Sequence, residues 1–154
     1  MAEYSAVAVQ TVNPGETVVF TESPVPCNRG FVRHRDGTGN FLLAGVACKR
    51  RCACMGPANA MYLVDFGANI AVPEGETVGT ISLAIAVDGA TVPASEMEIT
   101  PAAVDNYFNV SRAINVPIWA GCCETVSIRN TSAIPISVSN ANIIFTRPDL
   151  AVTR

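Results

Sequence analysis

The chain is short of what most activities need. It has one histidine and one tryptophan in 154 residues. It has no uninterrupted apolar window of about 18 residues, so no membrane span is expected. No basic N-terminal region leads into an apolar run, so no secretion signal is expected and synthesis in the cytoplasm is. No glycine loop for phosphates and no dinucleotide fingerprint occurs. Charge is also scarce: 15% of residues are charged, where about a quarter is usual. A β-rich chain with so little charge often hides surface in an oligomer.

These shortages weaken the catalytic readings. A hydrolytic triad would have to use His34, which lies between Arg33 and Arg35 with no orienting acid evident nearby. A lone histidine is not a constellation, so an exposed or interfacial His34 is expected. Glu74 and Glu76 sit in a Pro/Gly turn and read as solvated. Asp65 interrupts an apolar strand, and a structural ion pair is its expected role. We therefore expect no enzyme.

What is present is alternation. Tyr62, Val64, Phe66, Ala68 and Ile70 share one strand face, and Ile81, Leu83, Ile85 and Val87 share another. A period of two with aromatic and β-branched enrichment predicts half-buried strands. Asp88-Gly89 predicts a type I′ hairpin, because both of its central residues need positive φ. Further strands are expected at Ala6–Val9, Glu16–Glu22, Phe31–Arg35, Phe41–Ala47, Tyr107–Trp119, Thr125–Asn130 and Ile134–Arg147. Pro101–Val104, with Thr100 as its cap, reads as a single helical turn. The fold class is all-β: a sandwich of about eight to ten antiparallel strands in one domain over 1–154. Residues 1–12 read as an N-terminal arm or strand, and 148–154 as a polar tail.

Two local compositions stand out. Six of the ten Lys and Arg residues fall in one segment: Arg29, Arg33, Arg35, Lys49, Arg50 and Arg51, with only Asp36 opposing them. This segment reads as a docking patch for an acidic surface. Nucleic acid is not expected, because the net charge is −3 and interleaved aromatics are lacking. The six cysteines are Cys27, Cys48, Cys52, Cys54, Cys122 and Cys123. An even count suits disulfides, thiolates suit zinc, and buried thiols suit neither. The zinc reading is the weakest, since paired C-x-x-C knuckles are absent. No other cofactor is expected.

The stretch from Ala60 to Pro93, with Val87-Asp-Gly-Ala-Thr-Val-Pro93 at its end and Phe145 in a closing strand, resembles the tumour-necrosis-factor/complement-head-like jelly rolls of bacteria and phages. Frames such as Phe66-Gly-Ala-Asn-Ile70 and Gly121-Cys-Cys-Glu-Thr125 are similar to small proteins of gut Firmicutes and their prophages. The resemblance implies a homotrimer, with Tyr62, Val64, Phe66 and Phe145 as its core. It also implies a structural protein of a virion, such as a capsid decoration, head fibre or tail-associated protein, that partners the major capsid protein or another virion protein. The alternatives are a module that binds a surface glycan or receptor, for which Asp105-Asn-Tyr-Phe108 is the suggestive cluster, and a component of a spore or cell surface.

Overall fold

The computed structural model describes residues 1–27, 29–45, 59–119 and 123–148. Two antiparallel sheets face each other, with no α-helix among the described residues. In chain order the strands are β1 (Ala2–Ala6), β2 (Gln10–Val12), β3 (Glu22–Val25), β4 (Val32–His34), β5 (Phe41–Leu43), β6 (Asn59–Ala71), β7 (Ile81–Val87), β8 (Ala90–Thr91), β9 (Met97–Ile99), β10 (Phe108–Trp119), β11 (Glu124–Asn130) and β12 (Ile136–Thr146). The first sheet runs β10-β6-β12-β1-β3, with β2 also on β12. The second runs β4-β5-β11-β7-β8, with β9 also on β7. The expected all-β jelly-roll sandwich is therefore the architecture.

Strand β6 organises the first sheet. Its alternation buries Ala60, Tyr62, Val64, Phe66, Ala68 and Ile70 between the sheets. Met61 and Asp65 stay exposed on the other face. In β7 the expected face is buried, but Ser82, Ala84 and Ala86 are buried as well. Small side chains on the outer face let neighbouring strands close over that row. Arg129, opposite Ala84 in β11, reaches across it to donate to the Gly89 carbonyl at 2.9 Å. Between β7 and β8, Asp88 and Gly89 take φ of 49° and 82°, as the turn dipeptide requires.

Three local expectations change. The first strand is Ala2–Ala6 rather than Ala6–Val9, and Val7 and Val9 are exposed. They lie where β12 shifts register between Ser139 and Asn142, with Asn140 at φ 49°, so the ladder breaks there and resumes at β2. The segment Glu16–Glu22 is not one strand. Val18 donates to Ile128 of the second sheet at 2.8 Å, whereas Thr21 donates to Ser5 of the first at 3.1 Å. The chain changes sheets in between and buries Val18 and Phe20 at the corner. Pro24 then sits in β3, an edge strand, where its missing N–H costs no ladder bond. Finally, the single helical turn is the 3-10 turn Pro93–Ser95 and not Pro101–Val104. The Ser95 hydroxyl fixes it by accepting the Ile85 N–H at 2.8 Å and donating to Val92 at 2.7 Å.

The corner gives a stability prediction. A Cβ on Gly39 would lie 2.2 Å from the Val18 carbonyl oxygen, against backbone. Gly39→Ala is expected to cost about 1–3 kcal/mol by overpacking. Gly79→Ala, whose Cβ would make an ordinary 3.7 Å contact with Ile134, should be close to neutral. Urea unfolding of both variants checks the contrast, and equal stabilities would show that the corner gives way freely.

Candidate functional site

The sandwich is not closed all round. Strand β10 is the edge of the first sheet and β8 the edge of the second. Beyond β7 that edge consists of the two-residue β8, the 3-10 turn and the three-residue β9, too short to cover the twelve residues of β10. Arg112 ties the two edges together at one point, donating to the Ala94 carbonyl through Nε at 3.0 Å and Nη2 at 2.7 Å. Beside this clamp lies a groove of about 410 Å3. Val87, Val92, Ile114 and Pro117 are among its apolar walls, and Asn115, Trp119 and Glu124 also line it.

Trp119 is 62% exposed although it is the only tryptophan. It ends β10 in the outward phase of the alternation, because Val116 and Ile118 take the inward one. An exposed indole beside an apolar groove offers a flat face and one N–H donor. Glu124 starts β11 opposite the buried Leu43. Burial raises its carboxyl above the ordinary value, and the nearby Asp88 carboxylate raises it further. Asp88 is held in place by β11: its Oδ1 accepts the Thr125 N–H at 2.7 Å, and its own N–H donates to the Thr125 carbonyl at 2.7 Å. The groove thus joins an aromatic platform to a carboxylate whose proton affinity is raised first by burial and then by Asp88 of the hairpin turn. Neither Trp119 nor Glu124 was singled out from sequence. The signal in the former was phase: with Ile114 and Val116 inward, residue 119 must point out.

The residues singled out from sequence are distributed otherwise. Tyr62, Val64, Phe66 and Phe145 are 0–1% exposed inside the chain's own sandwich. They are filled by partners such as Phe41, 4.9 Å from Phe145 between ring centroids, and so are not available as a trimer core. Asp65 is exposed and has no cation partner among the described residues, so the ion pair expected with an Arg of the same or a neighbouring chain is not made within the described part of this chain. Asp105 and Phe108 stand at the far end of β10 from Trp119, roughly 37 Å away at about 3.4 Å per residue. The suggested glycan cluster is therefore not at the groove.

His34 is packed rather than exposed, with only 8% of its side chain accessible. It stacks on Phe41 at 4.7 Å, its Nε2 donates to the Thr38 carbonyl at 3.0 Å, and its Nδ1 faces Asp36 at 3.8 Å. The acid is two residues away in sequence and reaches the ring because the turn at Gly37 folds back. Arg29, Arg33 and Arg35 are exposed, while Lys49, Arg50 and Arg51 lie outside the described residues. So do Cys48, Cys52, Cys54 and Cys122. Cys27 is a thiol whose sulfur accepts the Val32 N–H at 3.4 Å, and Cys123 is partly buried just before β11. No cluster of metal-binding side chains occurs among the described residues. No helix among them is long and apolar enough to cross a membrane.

No protein-family model and no curated protein sequence matches the chain. Solved structures do. The globular domain of a zebrafish complement 1qA protein aligns over 93% of this chain and 94% of its own, with a TM-score of 0.50 and 11% identity. The C-terminal domain of the sugar-binding protein EclA aligns over 90% of this chain and 80% of its own, with a TM-score of 0.39 and 10% identity. A family 35 carbohydrate-binding module from Paenibacillus barcinonensis aligns over 94% and 97%, with a TM-score of 0.35 and 20% identity. At such identities the zebrafish likeness is one of fold, and it agrees with the complement-head-like jelly roll expected from the sequence.

Proposed function

We propose that this chain is a non-catalytic binding module whose groove between β10 and the β8 edge takes a saccharide. The observation that carries the reading is the juxtaposition of Trp119, 62% exposed, with Glu124 and Asn115 along one groove. A pyranose has an apolar C–H face and a rim of hydroxyls. The indole and the Val87–Val92 wall suit the first, and the carboxylate and amide suit the second. The non-catalytic part is supported by His34, whose Nε2–H is spent on Thr38 and whose ring is stacked in the aromatic core. The virion role implied by the sequence resemblance has no comparable local support.

The test is retention on a panel of immobilised neutral polysaccharides by the wild type and Trp119→Ala. The variant should bind at least tenfold more weakly, a difference of about 1.4 kcal/mol. The ionised Glu124 is the better acceptor for sugar hydroxyls, so affinity should fall as the pH drops through its raised pKa. That fall should begin at higher pH than an ordinary glutamate would give, and Glu124→Gln should flatten it. Equal retention of wild type and Trp119→Ala on every polysaccharide bound would place recognition elsewhere.

A further inference from the structure

On the outer face of the second sheet, β4, β5 and the start of β11 lie side by side. Arg33 is directly opposite Leu42, and Leu42 is directly opposite Thr125. This row, with His34, Arg35 and Asn40, lines a hollow of about 340 Å3. Its floor is the half-buried Leu42, and its rim carries two guanidinium groups, an amide and a hydroxyl. Neither Arg33 nor Arg35 has a carboxylate or hydrogen-bond partner for its guanidinium among the described residues. Two planar donor forks are thus left unspent beside one cavity. Two residues apart, they share one face of the chain, and His34 between them is pinned by Phe41 and Thr38.

From this geometry we infer a second binding site, separate from the groove, for a hydroxylated carboxylate: a sugar acid or a small hydroxy acid. Guanidinium forks match the two oxygens of a carboxylate and hold it bidentately. Asn40 and Thr125 each donate and accept, which suits neighbouring hydroxyls better than it suits bare oxyanions. Leu42 provides an apolar floor for the C–H face between them. The volume lies at the low end for small-molecule sites, which run from about 300 to 1,000 Å3, so the hollow fits a compact group. The chain's net charge of −3 argues against long-range capture of a polyanion and for local pairing with a single charge. Two acids stand near the site: Asp36, beside Arg35 and 3.8 Å from His34 Nδ1, and Asp88, whose Oδ1 accepts the Thr125 N–H at 2.7 Å. They limit the site to ligands that present one carboxylate toward the arginine side.

The experiment is titration of the isotopically labelled full chain with galacturonate, galactose, malate and a galacturonate oligomer, read by amide shifts. Galacturonate should move the Arg33–Arg35 and Thr125 amides saturably, and galactose should leave them unmoved. The double variant Arg33→Gln/Arg35→Gln should weaken galacturonate binding, read at the Arg33–Arg35 and Thr125 amides, at least tenfold. Tighter binding of the oligomer than of malate would identify the source as a glycan, and the reverse a free hydroxy acid. The proposal is overturned if galactose shifts these amides as galacturonate does, or if the double variant binds normally. It is also overturned if a glutamate-rich peptide displaces galacturonate at equal concentration, since the site would then read protein carboxylates. The two substitutions lie on exposed side chains, and an unchanged amide spectrum without ligand confirms that the variant is folded.

Discussion

Phe41→Ala is expected to lower the stability of the fold by about 3–5 kcal/mol, the range for deleting a buried phenylalanine ring. The ring is fully buried on β5. Its centroid lies 4.8 Å from Tyr4, 5.2 Å from Phe20, 4.7 Å from His34 and 4.9 Å from Phe145. Those partners come from β1, the corner segment, β4 and β12, so one ring joins both sheets and the crossing between them. Small side chains cannot refill the hole, because the four surrounding rings are themselves held by backbone on different strands. Phe41→Leu keeps most of the volume and should cost far less. Urea unfolding gives both values. A loss under about 1 kcal/mol for the alanine variant would mean that the aromatic cluster collapses around the gap rather than holding its shape.

Asn130→Leu is the second large effect, through polarity rather than volume. Asn130 is 1% exposed at the end of β11. Its amide donates to the Val12 carbonyl at 2.9 Å and to the Ile134 carbonyl at 3.0 Å. Its side-chain oxygen accepts the Ser132 N–H at 2.8 Å and the Ser132 hydroxyl. Its backbone pairs with Gly15 and Glu16 across the next segment. Leucine fits the space but leaves these backbone groups without partners, and each orphaned buried group costs about 1–3 kcal/mol. A total loss of about 3–5 kcal/mol is expected on that basis. Ser132→Ala removes a hydroxyl that can donate to Asn130 Oδ1 or, at 3.1 Å, to the Ile134 carbonyl, while Asn130 keeps its backbone partners, so it should cost about 1 kcal/mol. If Asn130→Leu matches Ser132→Ala, water has entered that end of the sandwich and replaced the amide.

The two variants separate what was legible in the chain from what was not. Alternation around Tyr62–Ile70 and Ile81–Val87 specified the long strands, because a pleated strand can bury only every second side chain. Asp88-Gly89 specified the hairpin, because few residues accept positive φ. The same alternation carried the outward phase of Trp119, although the residue was not singled out from it. Strand ends were less legible. Val7 and Val9 have strand-like side chains yet face solvent, because the irregularity at Asn140 on a distant strand interrupts the ladder there, leaving a single Asn140 N–H to Val7 carbonyl bond of 3.3 Å.

The sequence by itself determined the fold class, the period-two faces and the shortage of catalytic groups, since these follow from local rules about φ, ψ and side-chain alternation. Tertiary structure alone decided where those faces went. It placed Tyr62, Val64, Phe66 and Phe145 in the chain's own core, where pattern gives a buried face but not the identity of what buries it. It set β10 against the short 3-10 turn and β9 and left open the groove that joins Trp119 to Glu124. It also set Arg33, Leu42 and Thr125 in one row, although Thr125 is more than eighty residues from either of the others. Register between distant strands is fixed by packing both sheets at once, and no local stretch of sequence encodes it.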